Sequence, residues 1–499
     1  MALLLAALQV NACAPTLPER RLAVALPAAP ASLTPNVAHD AATLAVLGNI
    51  YETLVGVDAN LGLQPGLAES WHTPDELGWV FRIRAGVQRH DGAPLTAADV
   101  AASLEHARAD PASCRRAQLA DVDRIELGGP LTLRIRTRRP IDTLAMRLGN
   151  VFIGARPAHG GGIWPGTGRY RVGSRTPNGL VLEAFPGHRD GPPALPVARF
   201  EALSDPDELA HRLRDGQLQL AVDLPAAGVA ALSSAPNVRT LVRSDGLRVT
   251  FLGFDCARAR SPGILRVPNP FRDLRVRQAV ALAIDRAAIV QGPLAGYAEL
   301  VDQIATADAL GAYRDSLGTR PHDPAGARRL LEAAGHAGGF QARLDHAADP
   351  DTKAVARSIA RDLGRIGIRL ELAAWSEADL ERRIAQRKTS LHLGAWTGET
   401  GDGRLAYEYL LHTPRGNLGQ ANAGSCGSPA LDTLIRRATG LESARERSVL
   451  LARLAAKVAL EAAIVPLYAK ADIYAAASDL AFEPRLDRQV RLAELRWQK

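Results

Sequence analysis

Cysteine is scarce, with four residues in 499 at positions 13, 114, 256 and 426, and no Cys-x-x-Cys pair. So few exclude a disulfide-stapled scaffold of this length. Aromatic residues are also few, at 5%, while the apolar fraction of 47% fits an ordinary globular protein. Beyond residue 13 no apolar run is long enough to cross a bilayer as a helix. Clustered charge is missing too: 60 basic residues stand against 53 acidic ones. The net charge of +7 is spread over scattered arginines, which excludes a nucleic-acid footprint. No Gly-x-Ser-x-Gly elbow, His-Glu-x-x-His pair or nucleotide loop occurs, and the 12 histidines are dispersed. The sequence therefore offers no catalytic residue, no metal site and no cofactor site.

What the chain does have is length. A sequence of 499 residues is too long for one core, so two or three lobes are expected. Residues 1–13 form a short apolar run fitting the h-region of a signal peptide, and Val10-Asn11-Ala12-Cys13 has the form of a lipobox. Cys13 would then be the lipidated first residue of the mature protein. No Lys or Arg precedes the run, so a true start further upstream is expected, and Asn11 is unusual at its position. The alternative is a buried N-terminal helix with an incidental cysteine.

Helix and strand patterns alternate along the rest. Residues 22–26 read as a strand, 42–54 as a helix, and 55–66 as a short hairpin. Residues 79–84 and 131–136 alternate as strands, and 218–223 and 250–255 read the same way. Thr96 with Asp99, and likewise Asp205, Asp273 and Asp323, stand where helix caps belong. Trp71, His90, Asp91, Asp285 and Arg286 read as packing, turn, cap or ion-pair residues rather than as a site. The 166–172 stretch, Gly-Thr-Gly-Arg-Tyr-Arg-Val, lacks the Lys-Ser/Thr of a phosphate loop and reads as a tight turn at a lobe crossing.

Several of these stretches together resemble the bacterial extracytoplasmic solute-binding proteins of family 5. They are "IYETLV" at 50–55, "PGLAESW" at 65–71, "FRIRAGVQRHDG" at 81–92, "LTAADV" at 95–100, "GTGRYRV" at 166–172, "NPFRDLRVRQAVALAIDR" at 269–286, "DPAGARRLLEAAG" at 323–335 and "IVPLY" at 464–468. The resemblance runs along almost the whole chain. It implies an α/β, two-lobed periplasmic-binding-protein fold of type II, in the large peptide-binding subclass, with an extra subdomain and hinge crossings. The implied division is a leader over 1–13, a first lobe of 20–48, 165–252 and 465–499, an extra subdomain of that lobe over 49–164, and a second lobe over 253–464.

The candidate ligand contacts lie in the run from Leu391 to Gly403, where an apolar strand meets a glycine-rich loop. Dipeptide receptors of the family carry "GWTGDNGDP" here, and their first Asp grips the ligand's α-ammonium. That Asp falls on Glu399, the second on Asp402, and Trp396 could pack over the ligand. The position of the family's carboxylate-binding Arg is His346, which allows a longer peptide, an amidated or sugar-linked compound, or another cation. Glu399 and Asp402 as turn caps, and Trp396 as core, are the alternative.

Cys256 and Cys426 fall where one lobe could hold both, so either a bridge or two free buried thiols is open. The resemblance implies no enzyme but a monomeric substrate-binding receptor of an ABC importer. It would hold a peptide or peptide-like solute between its lobes and deliver it to the permease subunits. It would be periplasmic, or a lipoprotein facing the periplasm and held to the membrane by its lipid alone. A receptor for a metal chelate, sugar or opine, and a sensor or chaperone presenting ligand to a partner, are the alternatives.

Overall fold

The computed structural model describes residues 21–38, 40–157, 162–305, 320–398, 403–416, 418–439 and 444–498. Cys13, Glu399 and Asp402 lie outside them. The strand Leu22–Leu26 is buried along its whole length. Leu22, Val24 and Leu26 enter one core with Tyr51, Tyr170 and Phe200. Ala23 and Ala25, one residue out of phase, enter another with Leu209, Leu213 and Leu224. A strand covered on both faces belongs inside a sheet. This one is fourth of seven, in the order Tyr170–Thr176, Gly179–Ala184, Val197–Ala202, Leu22–Leu26, Leu220–Ala221, Asp472–Ala477, Val238–Arg243. It runs parallel to Val197–Ala202 and Leu220–Ala221. Asp472–Ala477 lies antiparallel between Leu220–Ala221 and Val238–Arg243.

The second lobe is built on six strands in the order Ala298–Leu300, Ile464–Lys470, Arg248–Phe254, Leu391–Thr397, Phe340–Ala347, Ile368–Trp375. Phe340–Ala347 and Ile368–Trp375 run parallel and are joined by the helix Pro350–Arg365. Asp349 caps that helix, Pro350 opens it, and Val355, Ile359 and Leu363 bury its apolar stripe. The chain passes between the two large sheets twice, from Arg243 to Arg248 and through Ala471.

A smaller unit carries four antiparallel strands in the order Ala68–Asp75, Gly78–Ile83, Thr132–Thr137, Val122–Gly129, with a core of its own around Phe81, Leu104, Leu133 and Leu144. Its helix Ala97–Ala109 starts at a complete capping box: Thr96 accepts from Asp99 N, and the Asp99 carboxylate accepts from Thr96 N. The turn that leads from this unit into the seven-stranded sheet presses against the end of the helix Ala41–Ile50. A methyl group on Gly166 would overlap the Ile50 carbonyl, and one on Gly168 the Asn49 carbonyl. The His90 ring nitrogen Nε2 lies 2.9 Å from Gly168 O, and its ring meets Phe185 edge-on. The glycine pair is a close-packing device, as its lack of a following Lys-Ser/Thr indicates.

Three local expectations change. The helix expected over 42–54 stops at Ile50, because Tyr51 turns extended to place its hydroxyl on the carbonyls of Leu33 and Trp164. The strand expected over 218–223 shortens to Leu220–Ala221, and Asp223 adopts a φ of 53°, which ends the ladder. Asp285 does not close the preceding helix but caps the next, Arg286–Gln291, while Arg286 pairs with Asp302 at 2.8 Å. Cys256 and Cys426 are joined in a disulfide within the second lobe, their Cα atoms 5.1 Å apart.

Candidate functional site

The two lobes and the small unit enclose a cavity of about 1170 Å³. Arg248, Phe251 and Gly253 of one crossing strand form part of its wall, with Trp396 and His392 of the neighbouring strand Leu391–Thr397. The helix Glu377–Ala385 adds Glu377 and Glu381. The small unit contributes Asp121 and Arg139, the helix Gly403–Leu410 contributes Glu408 and Tyr409, and the C-terminal segment contributes Arg488. The wall thus combines apolar surface with charged side chains of both signs, Arg248 beside Glu377 and Arg139 beside Asp121, which suits a polar solute of several residues.

At the lobe crossings the charges form one buried network. Asp223 accepts from Lys470 at 3.3 Å and from Arg488 at 3.2 Å, with Arg248 at 3.9 Å. Lys470 also pairs with Asp351 at 2.8 Å, Arg488 with Asp472 at 2.8 Å, and Arg248 with Glu377 at 3.1 Å. Asp351 reaches back across the lobes to accept from Ala226 N at 3.1 Å. Burial alone would raise the Asp223 carboxyl, yet Lys470, Arg488 and Arg248 outweigh it and hold that carboxyl far below the usual range. Burial likewise opposes the charge on Lys470, and Asp223 with Asp351 overcomes it. At Asp472 burial wins and the carboxyl is pushed up despite its 2.8 Å contact with Arg488. Asp223 and Arg488 both adopt positive φ, at 53° and 58°. That strain is tolerated where the surrounding network fixes the backbone.

A second set of charges lies on the small unit, and its Asp142 joins that unit to the second lobe. Asp142 receives Arg404 at 3.0 Å and Arg447 at 2.9 Å, and Asp121 receives Arg139 at 2.8 Å and Arg147 at 3.3 Å. Partial burial works against the Asp142 carboxylate, and the two arginines hold its carboxyl below the ordinary value.

Of the residues singled out from sequence, Trp396 lines the cavity, with its ring 5.7 Å from that of Tyr409. His346 is buried with its Nδ1 2.8 Å from Ala347 O, and Ala347, rather than His346, is part of the cavity wall. Glu399 and Asp402 fall outside the described residues, but Thr397 before them and Leu405 after them line the cavity. Trp71, His90 and Asp91 stand away from it. Sequence reading missed Arg248, Arg488 and His392. His392 does sit in the apolar run recognised at 391–396, a usable signal, whereas Arg248 lies two residues before the strand recognised at 250–255. Among the described residues no helix is long and apolar enough to cross a membrane, and no His, Cys, Asp or Glu group could hold a metal.

Two lobes joined by repeated crossings, with a large cavity between them, define a two-lobed periplasmic-type binding protein. The chain belongs to the bacterial extracellular solute-binding proteins, family 5, whose model matches residues 62–417. It is therefore a substrate-binding receptor of an ABC importer and not an enzyme. It is 25% identical over 452 residues to the glutathione-binding protein GsiB of Salmonella paratyphi A, covering 87% of this chain and 86% of that one. In structure it is similar to the periplasmic binding protein DppA of Helicobacter pylori in complex with the peptide STSA, with a TM-score of 0.85, 20% identity and coverage of 96% and 98%. It is also similar to AgaA of A. tumefaciens R10 in complex with agropinic acid, with a TM-score of 0.83, 21% identity and coverage of 96% and 99%.

Proposed function

We propose that this receptor captures a peptide of a few residues, or a peptide-like compound, with its free amino end toward Glu399. The observation that carries this reading is the cavity: about 1170 Å³, walled by both lobes, with apolar surface and charged groups of both signs. A buried ammonium needs a carboxylate and a buried carboxylate needs a cation. The strand through Trp396 and Thr397 leads into the stretch that holds Glu399 and Asp402. Arg248 and Arg488 put cations on the cavity wall, each already paired with a carboxylate, whereas His346 lies buried outside that wall. The relatives named for glutathione and the neighbour holding a tetrapeptide agree with this ligand class. The likeness to AgaA supports an opine as a second reading.

In this reading the protein works as a monomer, with residues 20–48, 165–252 and 465–499 as one lobe, 49–164 as its added subdomain and 253–464 as the other lobe. Cys13 carries the lipid that holds it at the membrane. Mass spectrometry of the solute released by denaturing the purified protein tests the ligand. A ladder of short peptides is expected, and Glu399→Gln should then weaken binding of peptides with a free amino end. A single opine or metal chelate would overturn the peptide assignment.

A further inference from the structure

His392 has a place that its neighbours build for it. In the antiparallel register Gly253 faces His392, Phe251 faces Gly394 and Val249 faces Trp396, so these pairs share one face of the sheet. A methyl group at residue 253 would overlap the His392 imidazole, and one at residue 394 would overlap the Phe251 ring. The two glycines therefore leave room over the sheet for both rings, which meet edge to face at 75° with centroids 6.4 Å apart. Trp396, Phe251, His392 and both glycines all line the cavity. His392 is 8% exposed. Its Nδ1 is 3.4 Å from the Thr389 hydroxyl, and its Nε2 has no partner among the described residues. Burial pushes the imidazole down to about 4, so it stays neutral at physiological pH.

We propose that His392 ends a lobe-II track of the cavity and hydrogen-bonds a neutral polar group on the distal residue of a peptide ligand, an inference that rests on the peptide reading above. The four-residue step from Trp396 to His392 along an extended strand spans about 14 Å. An extended peptide of about four residues covers that distance, while a dipeptide of about 7 Å stops short. A carboxylate is the wrong occupant, because a neutral imidazole offers no opposing charge to a buried anion. A side-chain amide, a hydroxyl or a backbone amide fits either tautomer of the ring. The small unit and the helix Glu377–Ala385 line the same cavity as the track.

The test is calorimetric titration of the full chain and of His392→Phe with Ala-Ala, Ala-Ala-Ala-Ala and Ala-Ala-Ala-Asn. The phenyl ring keeps the flat shape over Gly253 and removes both nitrogens. The variant should bind Ala-Ala as the parent does and lose about three- to tenfold for Ala-Ala-Ala-Asn, the worth of one neutral hydrogen bond. Equal loss for the dipeptide, or no loss for the asparagine peptide, would overturn the proposal. The imidazole ¹⁵N resonances of the unmodified protein give a reading that does not depend on the variant folding. Nε2 should shift on adding Ala-Ala-Ala-Asn and stay still on adding Ala-Ala. If none of these peptides binds, the peptide reading fails separately. The imidazole shifts before and after removing the co-purified solute then decide, and an unmoved Nε2 overturns the role of His392.

Discussion

At the scale of single residues, close contact and burial set the sharpest expectations. Gly168→Ala must push a methyl group against the Asn49 carbonyl, and overpacking of this kind costs about 1–3 kcal/mol. Urea unfolding should show the loss, and an unchanged midpoint would mean that the turn can shift. His392 makes stability depend on pH. Its folded value of about 4 lies below the ordinary 6.5, so the unfolded chain takes up the proton first. Stability should therefore fall as pH drops from about 6.5 to about 4, by up to about 3 kcal/mol, and then level off. In His392→Phe that part of the pH dependence should vanish from the thermal melts. Asp223 acts in the acid range, because its folded carboxyl lies far below its unfolded value. Its contribution is complete at neutral pH and begins to be lost only below about pH 4. Asp223→Ala would leave Lys470, Arg488 and Arg248 without their shared carboxylate, and breaking a buried network in this way costs about 3–5 kcal/mol.

At the scale of elements, the sequence was most readable where one residue decides the local structure. Thr96 with Asp99, Asp205, Asp273 and Asp323 all cap the helices expected of them. Thr96→Ala should cost about 1 kcal/mol, measured by denaturant unfolding. Element ends were less readable, because tertiary contacts set them. Tyr51 leaves its helix for the carbonyls of Leu33 and Trp164, one far along the chain. Asp223 leaves its strand for cations near residues 248, 470 and 488. No local pattern announces such partners. The Cys256–Cys426 pairing was open for the same reason, since 170 residues separate its ends. Closing so long a loop stabilises by about 5 kcal/mol on the chain-entropy account. Cys256→Ser with Cys426→Ser, or a reductant, should lower the melting temperature, and an unchanged melt would show that the bridge contributes nothing.

At the scale of the whole molecule, the two ion networks differ in what motion does to them. The network around Asp223 holds Arg248 and Lys470 beside the crossings, and these move little when the lobes swing. The contacts of Asp142 with Arg404 and Arg447 join parts of the chain linked only through those crossings, and opening must separate them. Asp142 is partly exposed, so its two pairs together contribute only about 1 kcal/mol to the closed form. Asp142→Ala should weaken ligand binding about fivefold without lowering the melting temperature of the empty protein, and high salt should narrow the difference. Equal affinity at low salt would remove Asp142 from closure. The site was only partly legible at this scale. Trp396 could be read from its strand and glycine-rich sequel, whereas Arg488 enters the cavity from the last residues of the chain, where no motif points to it.

That late arrival also applies to the first sheet. Its sixth strand, Asp472–Ala477, is wedged between Leu220–Ala221 and Val238–Arg243, and the second lobe is spelled out in between. During synthesis from the amino end, the first lobe cannot complete its central hydrogen-bond ladder until nearly the whole chain has left the ribosome. The seven-stranded sheet of a nascent chain therefore stays incomplete through most of its translation.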